Sequence, residues 1–317
     1  MLAVFSIQVV QLSIFAAEGD KQPDFAKLFM RSERDYPPDG THGPTPRALW
    51  VEAYKAHKAA GRIPSIPPAK KSENGLISYG PGIDGKSPEI CSWTLDCRSP
   101  SDISNAPENM FGVSFDDGPA DGTEVLMQFL TSQKQKATHF TIGKEGVSIK
   151  KDTNAFMSMV NADHDIGCHT WSHQYLTTMT DEQVLGELGW QLQIVYDLTQ
   201  EVQLYLRPPF GDCDNRIRAI AKHVFGMEVV MWKSDTKDWC LNPGSESASV
   251  CQVADAPKNE DELAKSLIKL AKASKNPGLI TLEHETSSKT VNGFIKAYQE
   301  FKNNGWDMVS AKNCFSL

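Results

Sequence analysis

The chain has 317 residues, 40% hydrophobic and 23% charged, with a formal net charge of −8. That length buries one large core, or one core with an appendage, and a (β/α) barrel of roughly 200–250 residues fits within it. The acidic balance and the lack of a basic cluster exclude nucleic acid as a partner, and a neutral polymer suits such a surface better than an anionic one.

Residues 1–17, MLAVFSIQVVQLSIFAA, carry no charged side chain and end in Ala16-Ala17 before Glu18. They read as a secretory signal peptide cleaved near Ala17, which makes the expected location extracellular or the cell wall. The run is too short, and too interrupted by Gln and Ser, to be read as a membrane span. The terminal KNCFSL lacks the apolar tail of a GPI signal. Residues 18–90 are rich in Pro, Gly and Lys and read as an N-terminal extension that wraps or precedes the catalytic domain, with one helix expected over Pro46–Ala60.

From Cys91 to Leu317, short apolar runs alternate with amphipathic stretches. Strands are expected at Met110–Phe115, Ala137–Ile142, His164–Cys168, Gln203–Leu206, Glu228–Trp232, Leu279–Leu282 and Asp307–Val309. Helices are expected at Thr123–Gln133, Asp181–Thr199, Asp214–Val224, Asn259–Ala273 and Ser288–Asn303. The alternation predicts an α/β domain with a mainly parallel sheet. Seven cysteines suit an oxidising compartment. Cys168 is expected as a free buried thiol, Cys240 and Cys251 as a closed loop, and Cys91 or Cys97 as a clip to Cys314.

Polar clusters follow the apolar runs, and strand C-terminal ends are where barrels and open sheets build their sites. Asp116-Asp117-Gly118-Pro119 comes first. One carboxylate there can bind a metal while its neighbour faces a water. His169-Thr-Trp-Ser-His173 puts two imidazoles four apart, able to share an ion with Asp117. Two His and one Asp suit one divalent metal, Zn²⁺ first and Co²⁺ second, with positions left open. No Glu follows His169, so the general base must come from elsewhere, and Asp116 is the supply. Arg207-Pro208-Pro209-Phe210-Gly211-Asp212 is a rigid loop; its Phe210 amide can face an oxyanion and Arg207 can fix a carboxylate. Asp235 and Asp238 can orient a histidine, Trp239 can wall an apolar pocket, and His284, after Leu282, can act as an acid.

These clusters in this order resemble the NodB-homology polysaccharide deacetylases (carbohydrate esterase family four), with fungal chitin deacetylases the nearest group. The resemblance covers Cys91 to Cys314 and extends to stretches such as CSWTLDC and ELGWQLQIVYDLT. It implies a distorted (β/α) barrel of the NodB-homology type. By position it implies Asp117, His169 and His173 as metal ligands, Asp116 as general base and Arg207 as its positioner. It implies the Phe210 amide as an oxyanion donor, Trp239 and Leu282 as the acetyl pocket, and His284 as general acid tuned by Asp235 or Asp238. The implied reaction is hydrolysis of N-acetyl groups of chitin or chitooligosaccharides by a water activated at the metal, and a monomer is expected. Phe210 stands where the family usually has Tyr, and Glu285 where many relatives have Asp. The same residues serve deacetylation of xylan or of bacterial wall sugars. The presence of both Asp116 and His284 argues against a catalytically dead carbohydrate-binding protein.

Overall fold

The computed structural model describes residues 25–30, 36–38, 40–143, 149, 151–242, 250–253 and 255–315. The signal-peptide reading of residues 1–17 lies outside them.

Local signals set most helix boundaries. The helix α1 spans Ala48–Ala59 and α2 spans Thr123–Gln133. The short α3, Thr153–Asn161, starts at Asp152, whose carboxylate accepts the Ala155 amide at 2.8 Å. α4, Asp181–Thr199, opens with a capping box in which Thr180 and Gln183 satisfy each other's amides. α5, Asn215–Phe225, is capped by Asp214 and stops at Gly226, whose φ of 75° is the left-handed conformation that ends helices. α6, α7 and α8 span Glu260–Ala271, Ser288–Asn303 and Ala311–Phe315.

The strands, in chain order, are β1 (Lys70–Lys71), β2 (Ile77–Ser78), β3 (Met110–Gly112), β4 (Ser114–Gly118), β5 (Thr138–Thr141), β6 (Asp165–Cys168), β7 (Tyr205–Leu206), β8 (Glu228–Val229), β9 (Ser234–Asp235), β10 (Leu279–Leu282) and β11 (Asp307–Val309). β1 and β2 form a small antiparallel hairpin. The others form two parallel sheets, in the orders β4-β5-β6-β7-β8 and β11-β3-β10-β9. The expected α/β class with parallel sheets is what the chain adopts, its strands grouped in two sheets that join between β3 and β4 and again between β4 and β10. The expected strand Met110–Phe115 is broken at Val113, because that residue leaves one sheet for the other. Its amide donates to Val309 and its carbonyl accepts from Thr138. The sheets meet again at the C-terminal ends of β4 and β10, where Asp116 bridges His284 in parallel. There the Asp116 amide donates to the Glu283 carbonyl at 2.9 Å and the Glu285 amide to the Asp116 carbonyl at 3.1 Å.

Phe140, Tyr205, Val230 and Ile280 form one buried apolar cluster drawn from both sheets. Outside, α2, α6 and α7 cover β3 and β10 with Leu126, Leu263, Phe294 and Phe301. On the other side, Leu28, Phe29, Trp50, Ala53 and Ile63 share a core with Leu188, Ile217 and Phe225. Each fully buried large apolar side chain contributes about 1.5–3 kcal/mol, so residues from within the 18–90 segment add substantially to the stability of the rest.

The disulfides are Cys91–Cys97 and Cys240–Cys251. The second is the expected loop. The expected clip from Cys91 or Cys97 to Cys314 is not formed. Cys91 and Cys97 bond each other across a tight turn that holds Trp93, and Cys314 is a buried free thiol, as are Cys168 and Cys213.

Candidate active site

Two neighbouring aspartates on an unbroken strand would point to opposite faces. Here the register of β4 against β5 slips between Asp116 and Gly118, and Asp117 takes a φ of 69°. A bulge of this kind re-aims one side chain, so both carboxylates reach the same end of the sheet. Gly118 is required next to it, since a Cβ there would lie 2.1 Å from the Glu285 carboxylate.

Asp116 is buried, and its Oδ1 accepts from Arg207 Nη1 at 2.8 Å. Arg207 spends three more donors inside the molecule, on Ser114 Oγ at 3.1 Å, the Val230 carbonyl at 3.3 Å and the Met231 carbonyl at 3.4 Å. Its guanidinium lies 4.2 Å from the Phe140 ring centre. Burial lowers the Arg207 pKa and the Asp116 charge opposes that; the guanidinium stays charged. These contacts fix the guanidinium that holds Asp116 Oδ1.

Asp117 Oδ1 lies 3.3 Å from His169 Nε2 and 3.2 Å from His173 Nε2. Ligand atoms of the three residues fall within 4.8 Å of one another. His169 Nδ1 is 2.6 Å from the Arg207 carbonyl, which can only accept, so Nδ1 carries the proton. Nε2 is then the ring nitrogen that faces Asp117. Asp117 Oδ1 is buried with no hydrogen-bond partner among the described residues. Burial pushes its pKa up, yet the facing His173 and His169 rings hold it well below the usual carboxylate range. An orphaned buried anion facing imidazole nitrogens fits a divalent cation, and two nitrogens with one oxygen fit Zn²⁺ or Co²⁺. Thr170 and His173 also have positive φ, 68° and 55°. Non-glycine residues in that region cost about 1–3 kcal/mol each and gather at functional sites.

Across the site, Asp238 grips His284 twice, accepting the backbone amide at 2.6 Å and pairing with Nδ1 at 2.7 Å. Of the two aspartates read as orienting groups, Asp238 makes this contact. Asp235 is exposed and accepts the Lys237 amide at 2.8 Å. Burial pulls the His284 pKa down, but Asp238, then Asp117 and Asp116, carry it up to about 10. A folded pKa above the ordinary 6.5 favours the protonated ring, an effect full below pH 6.5 and lost as the pH rises through about 10. Asp238→Asn removes the largest upward influence. The alkaline limb of the kcat/KM profile should therefore move down by about 1–3 pH units, read from acetate release between pH 5 and 11; an unmoved limb would remove His284 as the titrating acid.

Leu282 ends β10, buried, and Trp239 sits half-buried in the turn after Asp238. Phe210 has a φ of 57° and its ring is 45% exposed. Sequence reasoning passed over Ser114, Asp212 as a structural group, and Glu187. Asp212 accepts the Thr177 amide and hydroxyl at 2.8–2.9 Å, tying the Arg207 loop to the His169 loop. Burial lifts its pKa to about 6. Glu187, fully buried on α4, accepts the Ser172 amide at 2.8 Å, the Ser172 hydroxyl and the Gly43 amide at 2.7 Å. The available signal was a charge among the apolar positions of a helix, Val184, Leu185 and Leu188.

A family model described as polysaccharide deacetylase matches residues 104–230, which include all but the His284 side of this site. Chitin deacetylase 3 of Cryptococcus neoformans is 34% identical over 311 residues, covering 94% of this chain and 72% of the relative. The chain belongs to the polysaccharide deacetylase family. It is a deacetylase hydrolase. Chitin deacetylase 1 of Saccharomyces cerevisiae is 34% identical over 242 residues, 75% of this chain and 72% of that protein. In fold, this deacetylase is similar to the chitin deacetylase of Colletotrichum lindemuthianum, with a TM-score of 0.56 at 20% identity over 67% of this chain and 89% of that one. A peptidoglycan N-acetylglucosamine deacetylase has the same TM-score at 22% identity, over 68% and 93% of the two chains.

Proposed function

We propose that this deacetylase hydrolyses N-acetyl groups from N-acetylglucosamine units of chitin or chitooligosaccharides, releasing acetate and leaving a free amine. The observation that carries the reading is the placement of two differently partnered groups, Asp116 with Arg207 and His284 with Asp238, around the Asp117, His169 and His173 cluster. Similarity to chitin deacetylases along 94% of the chain supports the choice of polymer.

Asp117, His169 and His173 would hold the cation. A divalent ion there supplies Lewis acidity, making a water easier to deprotonate and an amide oxygen easier to charge. Asp116, one oxygen held by Arg207, takes the proton of the attacking water. The water oxygen bonds to the carbonyl carbon, and the Phe210 amide donates to the charge that builds on the carbonyl oxygen. His284 passes its proton to the sugar nitrogen as the C–N bond breaks, and Asp238 stabilises the ring while it is charged. Trp239 and Leu282 wall the space for the acetyl methyl. All these residues come from one chain, so the chemistry needs no second copy.

Two disulfides among the described residues suit an oxidising compartment, which supports an exported enzyme. No helix among those residues is long and apolar enough to cross a membrane. Acetate release from chitopentaose and from acetylxylan, each with Zn²⁺ present, tests the substrate. Turnover of the chitin oligomer is expected; turnover of acetylxylan alone would overturn the reading.

A further inference from the structure

The mechanism uses the Phe210 amide and leaves its ring without a task, yet the ring is 45% exposed at the site. It is also braced. The Tyr175 ring stacks on it at a centroid distance of 4.0 Å and an interplanar angle of 6°. The centre of the His173 ring lies 4.6 Å from its centre, at an interplanar angle of 63°. Lys71 Nζ lies 4.4 Å from the centre of Tyr175. Lys71 comes from the β1–β2 hairpin, which is tied to the same loop by the Ala69 amide donating to the Thr177 carbonyl at 2.8 Å. A large apolar ring held in water, in a strained backbone conformation, beside a candidate metal ligand, is a feature that binding repays.

We propose that Phe210, backed by Tyr175 and Lys71, is a stacking platform for the sugar unit next to the one losing its acetyl group. This rests on the reading of a glycan substrate. A hexopyranose in the β-linked chain shows a flat face of C–H bonds that covers an aromatic ring, while its hydroxyls stay at the edge in water. With its amide assigned to the scissile carbonyl and its ring centre 4.6 Å from that of the His173 ring, Phe210 lies within one sugar length of the reaction. Binding a unit that does not react holds the ground and transition states alike, so the platform sets KM and leaves kcat alone. It also gives the Pro- and Gly-rich segment, through Lys71, a part in choosing long substrates.

The test uses the full zinc-loaded enzyme and compares chitopentaose with p-nitrophenyl acetate, which has an acetyl group and no sugar. Tyr175→Ala should raise KM for chitopentaose about 5- to 10-fold with kcat unchanged, and leave the small ester unaffected. Tyr175→Phe should behave as wild type, and Lys71→Ala should shift KM less, in the same direction. An equal loss on both substrates, or no change, overturns the platform. Calorimetric binding of chitopentaose to Asp116→Asn, with and without Tyr175→Ala, reads the same contact without turnover, and binding that ignores Tyr175 overturns it too. If the wild type released no acetate while binding still depended on Tyr175, the activity reading would fail and the platform would stand.

Discussion

Asp116→Asn should lower the rate of acetate release by about 100- to 10,000-fold and leave the bound metal in place. The substitution keeps the volume of the side chain and an oxygen that accepts from Arg207 Nη1, now at 2.8 Å from the carboxylate. It removes the negative charge that takes a proton from water. Asp117, His169 and His173 make no contact with the replaced oxygen; the two rings face Asp117, and His169 Nδ1 meets the Arg207 carbonyl. Stability should fall as well, because a fully buried guanidinium loses its counter-charge. A melting curve therefore belongs beside the rate, to show that the folded enzyme is what has lost activity. Retained acetate release in a folded variant would remove Asp116 as the base.

Chelation should abolish activity, and Zn²⁺ or Co²⁺ should restore it. The cluster offers an anion, a ring whose Nε2 faces it at 3.3 Å and a second ring at 3.2 Å, with no hydrogen bond to the buried Asp117 oxygen among the described residues. Without a cation, that oxygen is a buried acceptor left unmade, a state that costs about 1–3 kcal/mol. Metal binding therefore stabilises the fold by mass action, by about 2.7 kcal/mol at a free concentration of 100 times Kd. The melting temperature should rise with added Zn²⁺ in parallel with activity. Activity indifferent to chelation would end the metal reading.

The features that were legible in the amino-acid order are the local ones. The capping box of Thr180 and Gln183 and the Ser287 start mark α4 and α7 where they were expected. The strand-end clusters around Asp116, His169, Arg207 and His284 stood out because polar residues interrupt apolar runs, and the fold brings the strands' C-terminal ends together. What could not be read depends on distant partners. Val113 divides an expected strand because it bonds to Val309 and Thr138. Spacing alone left Asp235 and Asp238 equivalent; only the fold sets Asp238 against His284. Glu187 holds the loop of His173 through Ser172 and the amide of Gly43, 144 positions away. Asp117 turns toward its histidines through a bulge defined by the register of β4 on β5, which no single strand reveals.

Bound zinc measured by equilibrium dialysis of the wild type, Asp116→Asn and His173→Ala tests the centre of the account. The wild type and Asp116→Asn should each hold a single zinc with similar affinity. His173→Ala, which removes one of the rings facing Asp117 Oδ1, should bind about 100-fold more weakly or worse, since even outer-shell losses cost about 10- to 100-fold. Zinc held by His173→Ala as tightly as by the wild type would contradict the assignment of Asp117, His169 and His173 as the metal site.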